Sequence, residues 1–96
     1  PFFMAAQSGN VNLARLMLEK NADIELGMHV GWSPLFVASW MGHTAMVAEL
    51  LVRGANQDRT TTTEHFGIPA GSTSLSVAEL NGHEEVAALL REHGAT

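Results

Sequence analysis

Histidines are the residues of this 96-residue chain best suited to bind a metal ion. Zinc takes three or four nitrogen, oxygen or sulfur ligands, and the chain has no cysteine to supply thiolates. None of the histidines are separated by the i, i+4 spacing that places two zinc ligands on one helix face. The sequence therefore predicts no metal site and no cofactor. One metal hypothesis stays open, in which His29 and His65 approach each other on neighbouring loops. The five histidines are His29, His43, His65, His83 and His93.

Side chains that could act as nucleophiles lack a catalytic setting in the sequence. Ser8 and Ser72 adjoin glycines, but neither lies in a Gly-x-Ser-x-Gly turn, and no phosphate-binding glycine loop occurs. The acidic pair Glu84 and Glu85 opens a predicted helix, where the helix dipole favours negative charge. These observations predict a protein that is not an enzyme.

The charge distribution argues against nucleic-acid and membrane partners. The formal net charge is −5, from five Lys and Arg against ten Asp and Glu, and the basic residues occur singly. A nucleic-acid-binding protein generally carries a basic stripe, and an anionic membrane surface attracts basic clusters. No apolar run approaches the roughly 18 residues of a membrane-spanning helix. Because 46% of the residues are apolar, we expect a folded domain. The charge distribution predicts that this domain binds neither nucleic acid nor a membrane.

The chain repeats itself twice at fixed spacings. The first copy matches the second at a shift of 33 residues, in the pairs Pro1 and Pro34, Gly9 and Gly42, Met17 and Leu50, Leu18 and Leu51, and Ala22 and Ala55. The third copy matches the second at a shift of 40, in the pairs Leu35 and Leu75, Ala38 and Ala78, Gly42 and Gly82, His43 and His83, Leu50 and Leu90, and Gly54 and Gly94. The difference, 40 − 33, indicates seven additional residues between the second and third copies.

Each copy is predicted to form two short helices. In the second copy, Ser33 suits an N-cap, Pro34 suits the first turn, and Gly42 ends the helix. A second helix follows over residues 44–53 and ends at Gly54. Helices this short are unstable alone in water, so each pair must stack on the next, as in a solenoid. The apolar residues on one face of the second helix are Met46, Val47, Leu50 and Leu51.

These motifs resemble the ankyrin repeat. Residues 33–38 read Ser-Pro-Leu-Phe-Val-Ala, followed by Gly-His at 42–43, Leu-Leu at 50–51 and Gly-Ala at 54–55. The family pattern is Thr-Pro-Leu-His-x-Ala, Gly-His, a leucine-rich second helix and Gly-Ala. The resemblance implies an all-α ankyrin-repeat solenoid of about three helix-turn-helix repeats with β-turn fingers between them. The single domain covers 1–96, with repeats at about 1–30, 31–70 and 71–96.

Departures from the family pattern carry two further expectations. The family histidine after Leu, which ties the preceding turn by hydrogen bonds, is replaced by Phe3, Phe36 and Ser76, so those ties are not expected here. The third copy has polar Ser76, Glu79 and Arg91 where the earlier copies have small or apolar residues, which favours a C-terminal cap. The first copy lacks such changes, so we expect the C-terminal fragment of a longer array, open to self-association at its first repeat. A divergent first repeat that packs adequately is the alternative.

Partner contacts are expected where the family makes them, on the fingers and the concave face of the inner helices. The first finger is predicted over residues 23–32 and the second over 59–70. Aromatic and methionine side chains are frequent interface anchors, although a tryptophan that packs on a neighbouring helix or finger is the alternative at either Trp position. The predicted partner-binding residues are Met28, His29, Trp32, Trp40, Met41, His65, Phe66 and Leu80.

The second finger contains the seven-residue insertion. Its run of threonines at 60–63 favours an extended strand, residues 64–67 are expected at the tip, and Pro69 restricts the return. Long loops in small domains are often functional, but insertions are also tolerated at little energetic cost. Both interpretations stay open.

The resemblance implies a protein–protein interaction module that binds another protein, and an intracellular, cytoplasmic location. The alternatives are a structural spacer or C-terminal cap of a longer array, or the substrate-recruiting domain of a larger enzyme.

Overall fold

A computed structural model describes the chain over residues 2–20, 32–57, 60–61, 64 and 67–93. Within these segments the secondary structure consists of three consecutive helix pairs and short turns. The pairs are α1 (Phe2–Ser8) with α2 (Val11–Glu19), α3 (Pro34–Met41) with α4 (Thr44–Val52), and α5 (Ser74–Leu80) with α6 (Glu84–Glu92). None of the helices in the described part of the chain is long and apolar enough to cross a membrane.

The helix pairs stack in two rows. In the inner row α1 packs on α3 and α3 on α5, and in the outer row α2 packs on α4 and α4 on α6. Each pair thus contacts its neighbours in the stack, as expected of units too short to bury their apolar faces alone. The predicted all-α solenoid of helix-turn-helix repeats is confirmed.

The core repeats with the sequence. Leu50 and Leu90 occupy matching positions in α4 and α6, and both are fully buried. Ala5, Ala38 and Ala78 occupy matching positions in the inner helices and are buried as well. Because alanine has a small side chain, the inner helices can approach each other closely at this position. The repeat spacing therefore corresponds to the spacing of the layers.

Local hydrogen bonds set the helix ends. The Ser33 side chain accepts a hydrogen bond from the backbone N–H of Phe36 at 3.2 Å, and Pro34 follows in the first turn. α3 ends at Gly42, whose φ of 78° lies in the left-handed region that favours glycine. The predicted start and end of this helix match the structure.

Two different contacts replace the family histidine. In the third repeat, the Ser76 hydroxyl accepts from the Thr73 N–H at 2.8 Å and donates to the Thr73 carbonyl oxygen at 3.0 Å. The Thr73 hydroxyl in turn accepts from the Ser76 N–H, which completes a capping box. The expectation that the ties of the preceding turn are lost is therefore wrong in this repeat, because a serine hydroxyl can donate and accept at the same place.

In the second repeat, the histidine position is apolar and belongs to a separate hydrophobic cluster. Phe36 is buried with Trp32, Ile68 and Val77, and Trp40 packs against them. The ring centroids of Trp32 and Phe36 are 5.2 Å apart, and those of Trp32 and Trp40 are 4.9 Å apart. We call these five residues the aromatic cluster. It joins α3 to α5 and to the end of the second finger.

Two histidines link consecutive layers. The His43 Nε2 atom lies 2.9 Å from the carbonyl oxygen of Gln7, and the His83 Nε2 atom lies 2.9 Å from that of Trp40. A carbonyl oxygen only accepts, so each Nε2 carries the hydrogen and donates it. Each ring belongs to the start of an outer helix and reaches the end of the preceding inner helix.

The outer face of the third repeat is polar, as predicted. Glu79 on α5 and Arg91 on α6 are exposed and form an ion pair with each other. The residues that match Glu79 in the first two repeats, Ala6 and Ser39, are fully buried beneath the following layer. That this repeat ends the parent array stays a prediction.

A charged group connects the outer helices of the first two repeats. The Glu49 carboxylate accepts hydrogen bonds from Arg53 Nε at 2.6 Å and from Arg15 Nε at 2.9 Å. The Arg53 guanidinium, and secondly that of Arg15, hold the pKa of the Glu49 carboxyl below its usual value of 4.5, against the opposing effect of burial. The lowered pKa means that the ionised carboxylate stabilises the folded state.

We expect Glu49→Gln to lower the free energy of unfolding at neutral pH by about 0.5–1 kcal/mol, because both arginines lie partly in water. Since the folded pKa is depressed, this contribution is fully present above pH 4.5 and disappears as the pH falls through the folded pKa. Urea denaturation of both proteins at neutral pH and well below pH 4.5 measures the difference. Glu19→Gln removes a charge from an exposed position of α2 and is the control. If Glu49→Gln lowered the free energy of unfolding by the same amount at both pH values, the stabilisation by Glu49 would not come from its charge.

Candidate partner-binding surface

The ends of two neighbouring inner helices carry exposed apolar side chains. Met41, the last residue of α3, is 44% exposed, and Leu80, the last residue of α5, is 63% exposed. Trp40, which matches Leu80 in the repeat, is partly buried, and Asn81 follows Leu80 at the surface. We call Trp40, Met41, Leu80 and Asn81 the inner-helix patch. The sequence predicted Trp40, Met41 and Leu80 as partner contacts, and the structure places these three residues on adjacent helices.

Hydrogen bonds hold the two helix ends of the patch together. The carbonyl oxygen of Trp40 accepts from Asn81 Nδ2 at 3.1 Å and from His83 Nε2 at 2.9 Å. Both lone pairs of this oxygen are therefore used by the following repeat. The end of α5 is fixed against the end of α3, and so the apolar side chains of the patch are presented in a defined arrangement.

The patch has no charged member. Charged residues are depleted from the cores of protein interfaces, whereas aromatic residues and methionine are enriched there. Gln7 and Ser8, which end α1, are exposed and extend the same row with polar side chains. A partner that lies along the ends of α1, α3 and α5 would contact a polar surface at α1 and an apolar surface at α3 and α5.

Trp32 does not lie at the surface. Its side chain is only 2% exposed, since Phe36, Trp40 and Ile68 pack around it in the aromatic cluster. The expectation of an exposed Trp32 on the first finger is therefore wrong, and the alternative of packing on a neighbouring helix and finger applies to it. Trp40 is intermediate: part of its ring packs on the cluster and part is accessible.

Four of the predicted partner-binding residues lie outside the described residues. They are Met28, His29, His65 and Phe66. The hypothesis of a zinc site at His29 and His65 falls there too. Among the residues that the structure does describe, there is no group of three or more His, Cys, Asp or Glu placed to hold a metal ion.

The base of the second finger is closed by a network around Thr61. The Thr61 N–H donates to the Ser72 carbonyl oxygen at 3.0 Å, and the Gly71 N–H donates to the Thr61 carbonyl oxygen at 2.8 Å. The Thr61 hydroxyl donates to the Pro69 carbonyl oxygen and accepts from the Ser72 N–H, at 3.0 and 3.1 Å. Thr61 is buried. Residues 60 and 61 are not assigned to a strand, and residues 62 and 63 lie outside the described residues, so the strand tendency of the threonine run stays a prediction.

Ile68 anchors the returning side of this finger and was missed by the sequence interpretation. It is buried against Trp32, Phe36 and Val77. The signal available in the sequence was a large aliphatic residue directly before Pro69, in a segment that has no other Val, Leu or Ile. Thr61 and Ile68 together tie the two sides of the inserted segment to the body of the repeats.

Comparisons with known proteins agree with this architecture. The family model described as ankyrin repeats (3 copies) matches residues 2–96. The chain is 34% identical over 92 residues to ankyrin repeat and SOCS box protein 3 of Bos taurus, which covers 96% of this chain and 17% of that protein. It is 35% identical over 82 residues to SMC5-SMC6 complex localization factor protein 1 of Bos taurus, covering 85% of this chain and 7% of that protein.

The solved ankyrin repeat domain of human ASB11 is similar along the entire chain. It superposes with a TM-score of 0.86 at 26% identity and covers 100% of this chain and 40% of that one. The chain thus spans less than a fifth of the two curated relatives and two fifths of the structural neighbour.

Proposed function

The chain belongs to the ankyrin-repeat family, and from this membership we propose that it binds a partner protein across its inner-helix patch and finger tips. Ankyrin repeats are generally protein-interaction modules without catalytic activity. We propose no catalytic role for this chain, no cofactor, and neither nucleic acid nor membrane as a partner. An intracellular, cytoplasmic location is part of the same proposal.

The observation that carries this proposal is the exposure of Met41 and Leu80 at the ends of adjacent inner helices. Met41 follows Trp40 directly in α3, Leu80 occupies the position of Trp40 in α5, and both helices bury other side chains in the core. A surface that is already ordered loses little conformational entropy on binding, so more of the contact energy appears as affinity. Methionine adapts its shape to an apolar partner, and tryptophan is a frequent hot spot.

The fingers complete the proposed surface. Met28, His29, His65 and Phe66 are proposed as finger contacts from their positions in the repeat pattern. The closed base at Thr61 and the buried Ile68 favour a function for the second finger, because an anchored loop is presented in fewer orientations than a free one. Trp32 has a supporting role in this proposal, since its ring backs Trp40.

The first repeat supports the proposal of a longer array. Leu13 and Leu16 on α2 are 42% and 49% exposed, whereas Met46 and Val86, the matches of Leu13 in the later repeats, are buried. A preceding repeat, or a second copy of the chain, would cover these leucines as the second repeat covers the third. The spacer hypothesis finds less support, because it does not account for an exposed apolar patch on the inner helices. A substrate-recruiting domain would use the same patch to bind its substrate.

We expect that Met41→Ser combined with Leu80→Ser weakens partner capture at least about tenfold, the equivalent of about 1.4 kcal/mol. The reason is that two apolar anchors at the centre of the patch become polar, while the buried core is untouched. The chain and its variant serve as baits in extract of the source cells, with bound proteins quantified by mass spectrometry and circular dichroism verifying the fold.

Val52→Ser is the matched control. Val52 is 77% exposed on the outer helix α4, so this change also replaces an exposed apolar side chain but leaves the inner-helix patch intact. Proteins that bind the wild-type chain and the Val52 variant, but not the double variant, support the patch. Equal capture by all three proteins would mean that the patch is not the binding surface.

A further inference from the structure

The inner-helix patch contains one side chain that an oxidant can modify, the thioether of Met41. Met41 is the last residue of α3, the central helix of the inner row, and is 44% exposed. The matching positions of the first and third repeats hold Ser8 and Asn81, which have no sulfur. The reactive sulfur of the patch therefore belongs to one residue, and this residue stands in water.

Methionine is the sulfur chemistry open to this chain. The sequence has five methionines and no cysteine, so no thiol competes for a mild oxidant. Hydrogen peroxide gives one oxygen atom to a thioether: a sulfur–oxygen bond forms and the O–O bond breaks. The sulfur is oxidised to a sulfoxide and the peroxide is reduced to water. The product replaces a flexible apolar side chain by a polar one, and methionine sulfoxide reductases reverse the step.

Burial separates the methionines that the structure describes. Met46 lies in α4 of the same repeat and is only 1% exposed, inside the main core, and Met17 is partly buried against that core. Peroxide reaches the sulfur of Met46 only when the surrounding core opens, whereas that of Met41 is accessible in the folded chain. Met46 is thus an internal reference for the reactivity of Met41.

We propose that Met41 is a site of reversible oxidation, and that its sulfoxide closes the inner-helix patch to the partner. This inference rests on the proposed function of the patch. An apolar partner surface that covers Met41 would separate the sulfoxide oxygen from water, and burying a polar group without a new hydrogen bond is unfavourable. Binding through the patch is therefore weakened by one added oxygen atom.

The position of Met41 makes this modification compatible with the fold. Its side chain projects at the end of α3, while the preceding residues of the helix, from Pro34 to Ser39, are buried. A sulfoxide there changes the surface and leaves the core as it is. The same oxidation at Met46 would place a polar atom in the core and destabilise the fold. Loss of binding with an intact fold is the signature that distinguishes Met41.

The first test measures oxidation in the absence of any partner. The folded chain is treated with hydrogen peroxide for increasing times, the reaction is stopped with free methionine, and peptides are quantified by mass spectrometry. We expect the sulfoxide to form at Met41 at least about tenfold faster than at Met46, because only Met46 requires local opening. In urea the two rates are expected to become equal. Equal rates in the folded chain would overturn the proposal.

The second test links the oxidation to binding. The wild-type chain, Met41→Leu and Met28→Leu are each oxidised, freed of peroxide and used as baits, with the untreated form of each as reference. Leucine keeps the apolar bulk of methionine without its sulfur. We expect oxidation to weaken capture about tenfold for the wild-type chain and Met28→Leu, and to leave Met41→Leu unchanged. The two sulfoxide reductases, one for each epimer, are expected to restore capture by the wild-type chain.

The same baits show which proposal fails. If Met41→Leu lost capture on oxidation as the wild-type chain does, or if a chain oxidised at Met41 captured its partners normally, Met41 would not be the switch. The double variant Met41→Ser, Leu80→Ser tests the patch itself. Loss of capture by the double variant, together with normal capture by the oxidised chain, would overturn only the oxidation proposal. Normal capture by the double variant would overturn the patch and, with it, the switch.

Discussion

Replacing Trp32 with alanine is expected to lower the free energy of unfolding by about 3–5 kcal/mol. The side chain is almost completely buried, and it contacts Phe36 and Trp40 within a cluster that also contains Ile68. Its removal leaves a large cavity where α3, α5 and the second finger meet. Because domains of this size are stable by about 5–15 kcal/mol, the loss is a large share of the total. Urea denaturation followed by circular dichroism measures it.

Trp40→Ala is the matched control for this experiment. Trp40 belongs to the same cluster but is partly accessible, so the same substitution removes less buried area. We expect a clearly smaller loss of stability and a preserved fold. Equal denaturation midpoints for the Trp32 variant and the wild-type chain would show that the aromatic cluster is not a structural unit.

The contrast between the two tryptophans bears on how binding experiments are interpreted. A loss of partner capture in Trp32→Ala would follow from the loosened junction of α3, α5 and finger, and would not identify a contact. Trp40→Ala changes both the accessible surface and the packing, because part of the ring is exposed and part packs against both hydrophobic clusters. Capture data from Met41 and Leu80 variants are free of this ambiguity, since both side chains project from the core.

The repeated part of the fold was predictable because its causes are local and recur. Ser33 as N-cap, Pro34 in the first turn and Gly42 at the end are encoded within a few residues, and the structure shows all three. Leu50 and Leu90 are both buried because they occupy equivalent positions of two repeats. When similar repeats stack, their equivalent positions are buried in the same way.

What the sequence did not predict depends on contacts between distant residues. Ile68 meets Trp32 and Phe36 only because the inserted segment folds back over α3, and no local pattern encodes that return. Nor does spacing alone decide whether a tryptophan next to a finger points to solvent or to a neighbouring layer. The candidate surface was therefore predicted correctly for the exposure of Met41 and Leu80 and wrongly for that of Trp32.

The interlayer histidines explain why a Gly-His pair recurs at the same place in the later repeats. The histidine of each pair reaches back to the preceding layer, and in the second repeat the glycine of the pair also receives the histidine of the following layer. Gly42 connects the two contacts, since it precedes His43 in the chain and lies under the ring of His83. The Gly42-His43 pair therefore takes part in two interfaces, one with the preceding layer and one with the following layer. A change at Gly42 affects the interface with the following layer.

Gly42→Ala is accordingly expected to lower the free energy of unfolding by about 2–3 kcal/mol. About 1–2 kcal/mol arises from placing alanine at a φ of 78°. The remainder arises because the new Cβ, 2.7 Å from the His83 ring, displaces that ring and breaks its hydrogen bond to the Trp40 carbonyl oxygen, worth about 1 kcal/mol. Urea denaturation measures the total, and the His83 ring signals in NMR report the displacement.

Gly54→Ala and Gly82→Ala separate these two contributions. Their φ values of 88° and 73° impose a comparable backbone penalty, but nothing lies within 4 Å of the added Cβ at either position. We expect each to lose only about 1–2 kcal/mol and to leave the His83 ring signals in place. Were all three variants equally stable, backbone conformation alone would explain these glycines, and the ring contact between the second and third layers would contribute nothing measurable. A larger loss at Gly42 assigns the difference to that contact, and the difference is then the stabilisation that the His83 ring provides between the second and third layers.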